Sequence, residues 1–269
     1  MSATRTTSAR RLRAWLLTPG ALRVPAITAA FWLVKGMSTA MGEATSDFLV
    51  HVVAPVAAVL LGLVAFVLSL VVQLRQGRYV AWAYWLAVVM VGTFGTMAAD
   101  VVHVALGVPY AVSSASYAVV LAAVFVVWGR AEHTLSIHTV DTPRRELFYW
   151  AAVVATFAMG TAVGDFTAVT LRLGYWPSAL LFAVLIAVPA LGYRFGRWNA
   201  IACFWTAYVL TRPLGASIAD GLAKPKAVHG LGLGAGWVAL GFGVAIAVVV
   251  AWLSVTRMDV QSDHATRTA

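Results

Sequence analysis

Cysteine is nearly missing from this chain: Cys203 is the single one in 269 residues. No intrachain disulfide can therefore form, and a cysteine-built metal site is argued against. Cys203 itself lies in an apolar run and reads as a small packing residue. Charge is scarce too, with charged side chains at 11% against 61% hydrophobic and a mean hydropathy of +0.86. That balance sets aside the ordinary soluble domain and makes lipid the expected solvent. The chain also lacks HExxH, CxxCH, a serine elbow and paired axial histidines, so an enzymatic reading is the weaker one. No soluble nucleotide-binding module is present to drive pumping.

The formal charge of +9 does not indicate a nucleic-acid partner, because the basic residues sit between apolar segments. Those segments fall near 25–47, 50–73, 80–102, 107–128, 147–170, 176–194, 198–221 and 230–256, each close to the ~20 residues that a helix needs to cross hydrocarbon. The expected fold is an all-α membrane protein of eight transmembrane helices. It divides into a basic arm (1–24), repeats at 25–74 and 80–129, a linker at 130–146, repeats at 147–197 and 198–256, and a polar tail (257–269). The arm is basic enough to begin a signal peptide, but the stretch behind it carries Lys35, Glu43 and Asp47 and no clear cleavage cassette, so it is expected to be retained. Arg5, Arg10, Arg11, Arg13, Arg23, Arg75, Arg78, Arg130, Arg144, Arg145, Arg194, Arg197, Arg257 and Arg267 collect on one side, against Arg172, Lys224 and Lys226 on the other. Both termini are therefore expected in the cytoplasm. Trp82, Trp85, Tyr149, Trp150, Trp198 and Trp205 suit interfacial anchors, and His133, His138, Glu132, Asp141 and Glu146 suit a solvated loop.

Four stretches align without gaps: FWLVKGMSTAMGEATSD, YWLAVVMVGTFGTMAAD, YWAAVVATFAMGTAVGD and FWTAYVLTRPLGASIAD. Each opens on an aromatic pair ending in Trp32, Trp85, Trp150 or Trp205. Ten residues later comes Gly42, Gly95, Gly160 or Gly215, and fifteen later Asp47, Asp100, Asp165 or Asp220. An internal repeat of one helix pair follows. On these tryptophans the chain resembles a family of bacterial multi-pass membrane proteins with a four-fold tandem repeat of unknown function, two transmembrane segments and one characteristic tryptophan per repeat. The resemblance covers nearly the whole membrane part and implies a multi-pass protein of the bacterial inner (cytoplasmic) membrane; it implies no chemistry. Because each unit crosses twice, the copies run parallel. They are expected to form a ring of odd helices backed by even ones, or two facing pairs.

At about 100° per residue, the tryptophan and the aspartate of each odd helix share one broad face. Glu43 joins them in the first copy and Arg212 in the fourth. A carboxylate as deep as Glu43 must be protonated, hydrated or paired. Lys35, eight residues away on the same helix, is a difficult partner, and Arg212 from another copy an easier one. The glycines are expected to permit close helix packing. His51 and His103, four and three residues beyond Asp47 and Asp100, would complete an oxygen and imidazole ligand set suited to a divalent metal ion. These residues predict a gradient-driven carrier of a small cation, preferably a divalent metal. Asp47, Asp100, Asp165, Asp220 and Glu43 are expected to bind it and Glu43 to take it or a counter-transported proton. Lys35, Arg212, Trp32, Trp85, Trp150 and Trp205 are expected to balance charge or gate. The expected partners are the bilayer, the cation and the proton; homo-oligomerisation, a channel, a metal-dependent or cofactor-dependent membrane enzyme and a structural or sensor protein stay open as alternatives.

Overall fold

The computed structural model describes residues 20–261. Most of the basic arm and of the polar tail, with Arg5, Arg10, Arg11, Arg13 and Arg267, lies outside the described residues. Among those described there are eight long helices and no strand: α1 (Ala29–Val52), α2 (Pro55–Arg75), α3 (Ala81–Asp100), α4 (Tyr110–Glu132), α5 (Pro143–Asp165), α6 (Tyr175–Phe195), α7 (Ala200–Ala223) and α8 (Ala235–Thr256). Local chemistry sets their starts. Thr28, Thr142 and Asn199 cap α1, α5 and α7 by accepting from Phe31, Arg145 and Ala202 N–H, and Pro55 and Pro143 occupy first-turn positions where no N–H is needed.

Six helices are long and apolar enough to cross a bilayer: α2, α3 with its extension to His103, α4, α5 with its extension to Thr170, α6 and α8. This is an all-α membrane protein. The two helices outside that set are α1 and α7, which carry Lys35, Glu43 and Asp47, and Arg212 and Asp220. Both are 24 residues long, about 36 Å, and both are packed inside the protein.

The odd helices form a closed ring: α1 packs on α3, α3 on α5, α5 on α7, and α7 back on α1. The even helices back this ring, each lying chiefly against the next odd helix in sequence: α2 on α3, α4 on α5, α6 on α7. The last, α8, closes the circuit on α1. Position in the ring explains composition. The backing helices present Leu60, Leu68, Val119, Val184, Val248 and Val255 outward, as lipid requires, whereas α3 and α5 are mostly buried.

The glycines form the seams. A side chain on Gly42 would meet the backbone of Gly92 at 2.8 Å, one on Gly95 Phe157 at 3.0 Å, one on Gly160 Arg212 at 2.5 Å, and one on Gly215 Thr39 at 1.9 Å. Each contact joins the residue ten beyond one tryptophan to the residue seven beyond the next, so a single seam recurs around the ring. Without a side chain the backbones approach closely, and packing supplies the attraction that lipid does not.

Candidate functional site

The ring has two ends, named here for their tryptophans and aspartates, and its axis is layered between them. At the tryptophan end an aromatic plug fills the ring. Trp85, Trp150 and Trp205 are 1%, 2% and 5% exposed, Tyr84 and Tyr149 join hydroxyls, and Phe31 packs between Trp85 and Phe204. Trp82 and Trp198 are about half exposed, whereas the expected interfacial role is corrected for the buried Trp85, Tyr149, Trp150 and Trp205. Ring closure brings the helix starts together, so these side chains meet one another before they meet lipid. Trp32 is only half-buried and packs at the edge of the same core.

Below the plug Lys35 is fully buried. Its Nζ stands 4.1 Å from the Phe157 ring centre and 4.0 Å from that of Tyr208, over ring faces that attract positive charge. Its Nζ has no hydrogen-bond partner among the described residues. Lys35 therefore does not pair with Glu43.

Arg212 does, from across the ring. Its Nη2 lies 2.6 Å from Glu43 Oε2 and 2.8 Å from Thr161 Oγ1, and also bonds Thr96 Oγ1. Thr96 and Thr161 each donate to a carbonyl one turn back, at 3.0 Å, which leaves their lone pairs for the guanidinium. Glu43, Thr96 and Thr161 all stand eleven residues beyond their tryptophans. One arginine from α7 thus ties together equivalent positions on the other three ring helices. Arg212 is completely buried and Glu43 is 5% exposed; each charge is kept tolerable by the other. Arg212 Nε and Nη1 have no partner among the described residues, and the mid-ring holds two basic side chains, Lys35 and Arg212, and one carboxylate.

At the aspartate end the four aspartates divide into two kinds: Asp100 and Asp165 are the last residues of α3 and α5, whereas Asp47 and Asp220 lie within the last turns of α1 and α7. Lys224, just past α7, bonds Asp47 and lies 3.5 Å from Asp220. Partial burial draws the Lys224 ammonium down, and Asp220 and Asp47 outweigh that, holding it above the usual lysine range. Asp100 and Asp165 form no hydrogen bond or ion pair among the described residues. Each leads directly into a π-helical turn, Val101–Ala105 and Phe166–Thr170, a wider coil that recurs at functional sites. Beside Lys224 opens a cavity of about 260 Å³ lined by Asp47, His51 and Lys224.

Neither histidine bonds these carboxylates among the described residues. His51 Nδ1 is 2.5 Å from the Asp47 carbonyl oxygen, while His103 Nδ1 is 2.7 Å from the Val108 carbonyl and its ring stacks on Tyr110. Among the described residues no three His, Cys, Asp or Glu side chains are grouped to hold a metal ion. Periodicity alone did not single out Lys224 as part of this region. Its spacing of four from Asp220 carries that signal, as the shared offset of Thr96 and Thr161 with Glu43 carries theirs.

The linker at the tryptophan end is corrected in part: His133 and His138 are exposed, as expected of a solvated loop, but Glu146 is packed. Glu146 is 1% exposed, bonds Arg23 at 2.8 Å and accepts from Gln73 at 3.1 Å. Glu132 receives Arg144 and Arg145, and His138 Nδ1 meets Gln261 at 2.6 Å. Segment 20–26 runs through this layer: Gly20 and Arg23 N–H bond the linker carbonyls of Asp141 and Val140, and Ala26 N–H bonds Asp259.

Fold and site together define a helical-ring membrane protein with a buried ion pair on its axis. The family described as Repeat of Unknown Function (DUF347) matches residues 83–134, 148–197 and 203–259, more than half of the chain. The protein belongs to that family, with three copies of its repeat detected. No curated protein and no solved structure matches the chain.

Proposed function

We propose that this protein is a gradient-driven carrier of a small cation, a divalent metal ion by preference, that binds at the aspartate end and crosses by opening the Arg212–Glu43 knot. The observation that carries this reading is the uneven pairing of the aspartates. Lys224 is shared by Asp47 and Asp220, whereas Asp100 and Asp165 have no cationic neighbour within ion-pair distance among the described residues. A concentrated negative charge at the mouth of an apolar bundle attracts cations. An aromatic plug and a buried ion pair stand in the ring, which favours a carrier over an open channel. A divalent ion would draw the aspartates closer than they stand here, with Lys224 displaced into the adjoining cavity.

The same proposal takes α1–α2 as a fourth, diverged copy of the repeat and all eight helices as spanning, because α1 completes the ring and the glycine seam. It places both termini in the cytoplasm of a bacterial cell. Arg23, Arg75, Arg78, Arg130, Arg144, Arg145, Arg194, Arg197 and Arg257 belong to the tryptophan end, and Arg172, Lys224 and Lys226 to the other.

Purified protein in liposomes, tested against a panel of divalent and monovalent cations with and without a pH gradient, is the direct test. Uptake of a small cation that depends on the gradient is expected, strongest for a divalent ion. Absence of flux for every cation tested, with the protein monodisperse, would reject the carrier.

A further inference from the structure

At the opposite end of the ring, the start of α3 and the end of α8 enclose a cavity of about 360 Å³. Arg78, Trp82, Arg257 and Asp259 are among its lining residues. Both helices are long and apolar enough to span a membrane, so the cavity sits where their ends meet the headgroup layer. Trp82, half exposed there, is the side chain favoured at that depth.

The polar groups are of two signs and are not spent on each other. Arg78 and Arg257 are exposed and make no ion pair among the described residues. Next to them α3 begins on Val80 without a side-chain cap, so its first-turn N–H groups, Ala81 and Trp82 among them, add positive character to the wall. Asp259 is only 2% exposed. Its Oδ2 accepts from Tyr79, and its Oδ1 has no partner among the described residues. Asp259, a lining residue of the cavity, thus keeps a buried carboxylate oxygen without a donor, and Arg78 and Arg257 line the same space, a set that matches a ligand with both an anion and an amine.

We infer that this cavity binds the headgroup of an aminophospholipid, with its phosphodiester on Arg78, Arg257 and the start of α3 and its primary ammonium on Asp259. The bilayer supplies such a molecule at the right depth, and basic pockets between helices are suited to phosphate headgroups. A primary ammonium donates hydrogen bonds to Oδ1; the trimethylated ammonium of a choline headgroup has none to donate. Burial holds the Asp259 carboxyl above the ordinary aspartate range, a cost that an incoming ammonium offsets. The site is distinct from the cation path and does not depend on it.

The test is lipid retention by the full-length purified protein, read by native mass spectrometry after exchange into phosphatidylethanolamine, phosphatidylcholine or phosphatidylglycerol of matched chains. Phosphatidylethanolamine should be retained about tenfold over phosphatidylcholine. R78Q/R257Q, which changes only exposed side chains, should lower phosphatidylethanolamine retention about tenfold with the melting temperature unchanged. D259N, whose amide oxygen can still accept from Tyr79, should keep binding but lose the preference for ethanolamine over choline. Equal retention of ethanolamine and choline lipids by the wild type, retention of phosphatidylglycerol above phosphatidylethanolamine, or undiminished retention in R78Q/R257Q would each overturn the assignment.

Discussion

The ring divides into two unlike halves. Neighbouring helices α1 and α7 supply the mid-ring ionisable groups, Lys35, Glu43 and Arg212, and run on as α-helix past their aspartates. Neighbouring helices α3 and α5 supply Thr96 and Thr161 at the same level and break into π turns directly after Asp100 and Asp165. The glycine seam is common to both halves. Shared positions therefore build the ring, and the departures from the repeat carry its chemistry: one half provides fixed charge, the other provides acceptors and carboxylates without counter-ions. A four-fold symmetric ring would have placed four like groups on one axis, where each repels the rest. Divergence lets Arg212 meet one carboxylate and two hydroxyls instead.

The charged half should be the easier to break. Arg212→Met leaves Glu43 buried without its partner, and a loss of about 3–5 kcal/mol is expected, read as a large fall in melting temperature. Adding Glu43→Gln should recover much of that loss, because the stranded charge is then gone. Equal stability of wild type and Arg212→Met would remove the knot from the account.

The shared seam should respond next. Gly215→Ala forces a methyl against Thr39 and the Ala40 backbone nitrogen, 2.9 Å away, and about 1–3 kcal/mol of destabilisation is expected. Gly36→Ala is the control on the same ring. Nothing lies within 4 Å of its added carbon, so it should be neutral or stabilising by up to about 1 kcal/mol. Equal melting temperatures for the two variants would show that the seam is not tight.

A smaller effect belongs to Lys224. As its value is raised on folding, the stability it contributes is fully present below the ordinary lysine range and is lost only as pH rises through the higher folded value. Its share of stability should therefore stay constant from roughly pH 6 to 9, checked as a pH-independent difference in melting temperature between wild type and Lys224→Met. In the same variant, removing the resident cation from Asp47 and Asp220 should tighten cation binding about threefold, or about 0.7 kcal/mol. Calorimetric titration showing weaker binding would make Lys224 a necessary part of the site and not a competitor for it.

Much of this organisation was legible in the sequence. The offsets of ten and fifteen residues from each tryptophan placed the glycines and aspartates on ring helices, and the depth of Glu43 demanded a partner that Arg212 could supply from another copy. What periodicity could not say is which neighbour each helix would choose. α2 lies mainly on α3 and not on α1, because the direction in which a backing helix leaves the ring is set by its links. Nor could spacing reveal that Glu146 is buried. A polar linker reads as solvated until segment 20–26 and Gln73 are seen to cover it. The π turns were equally hidden, since the residues after Asp100 and Asp165 are as apolar as those in continuous helix.

The central claim is that the carboxylates of the less charged half receive the cation. Its most direct test is flux of the transported cation through Asp100→Asn/Asp165→Asn in liposomes, with folding checked by chromatography. Both changes keep side-chain size and remove charge outside the Arg212 knot, so the fold should survive while flux falls by about tenfold or more. Wild-type flux and affinity in that folded double variant would contradict the account, whatever the fate of the ring architecture.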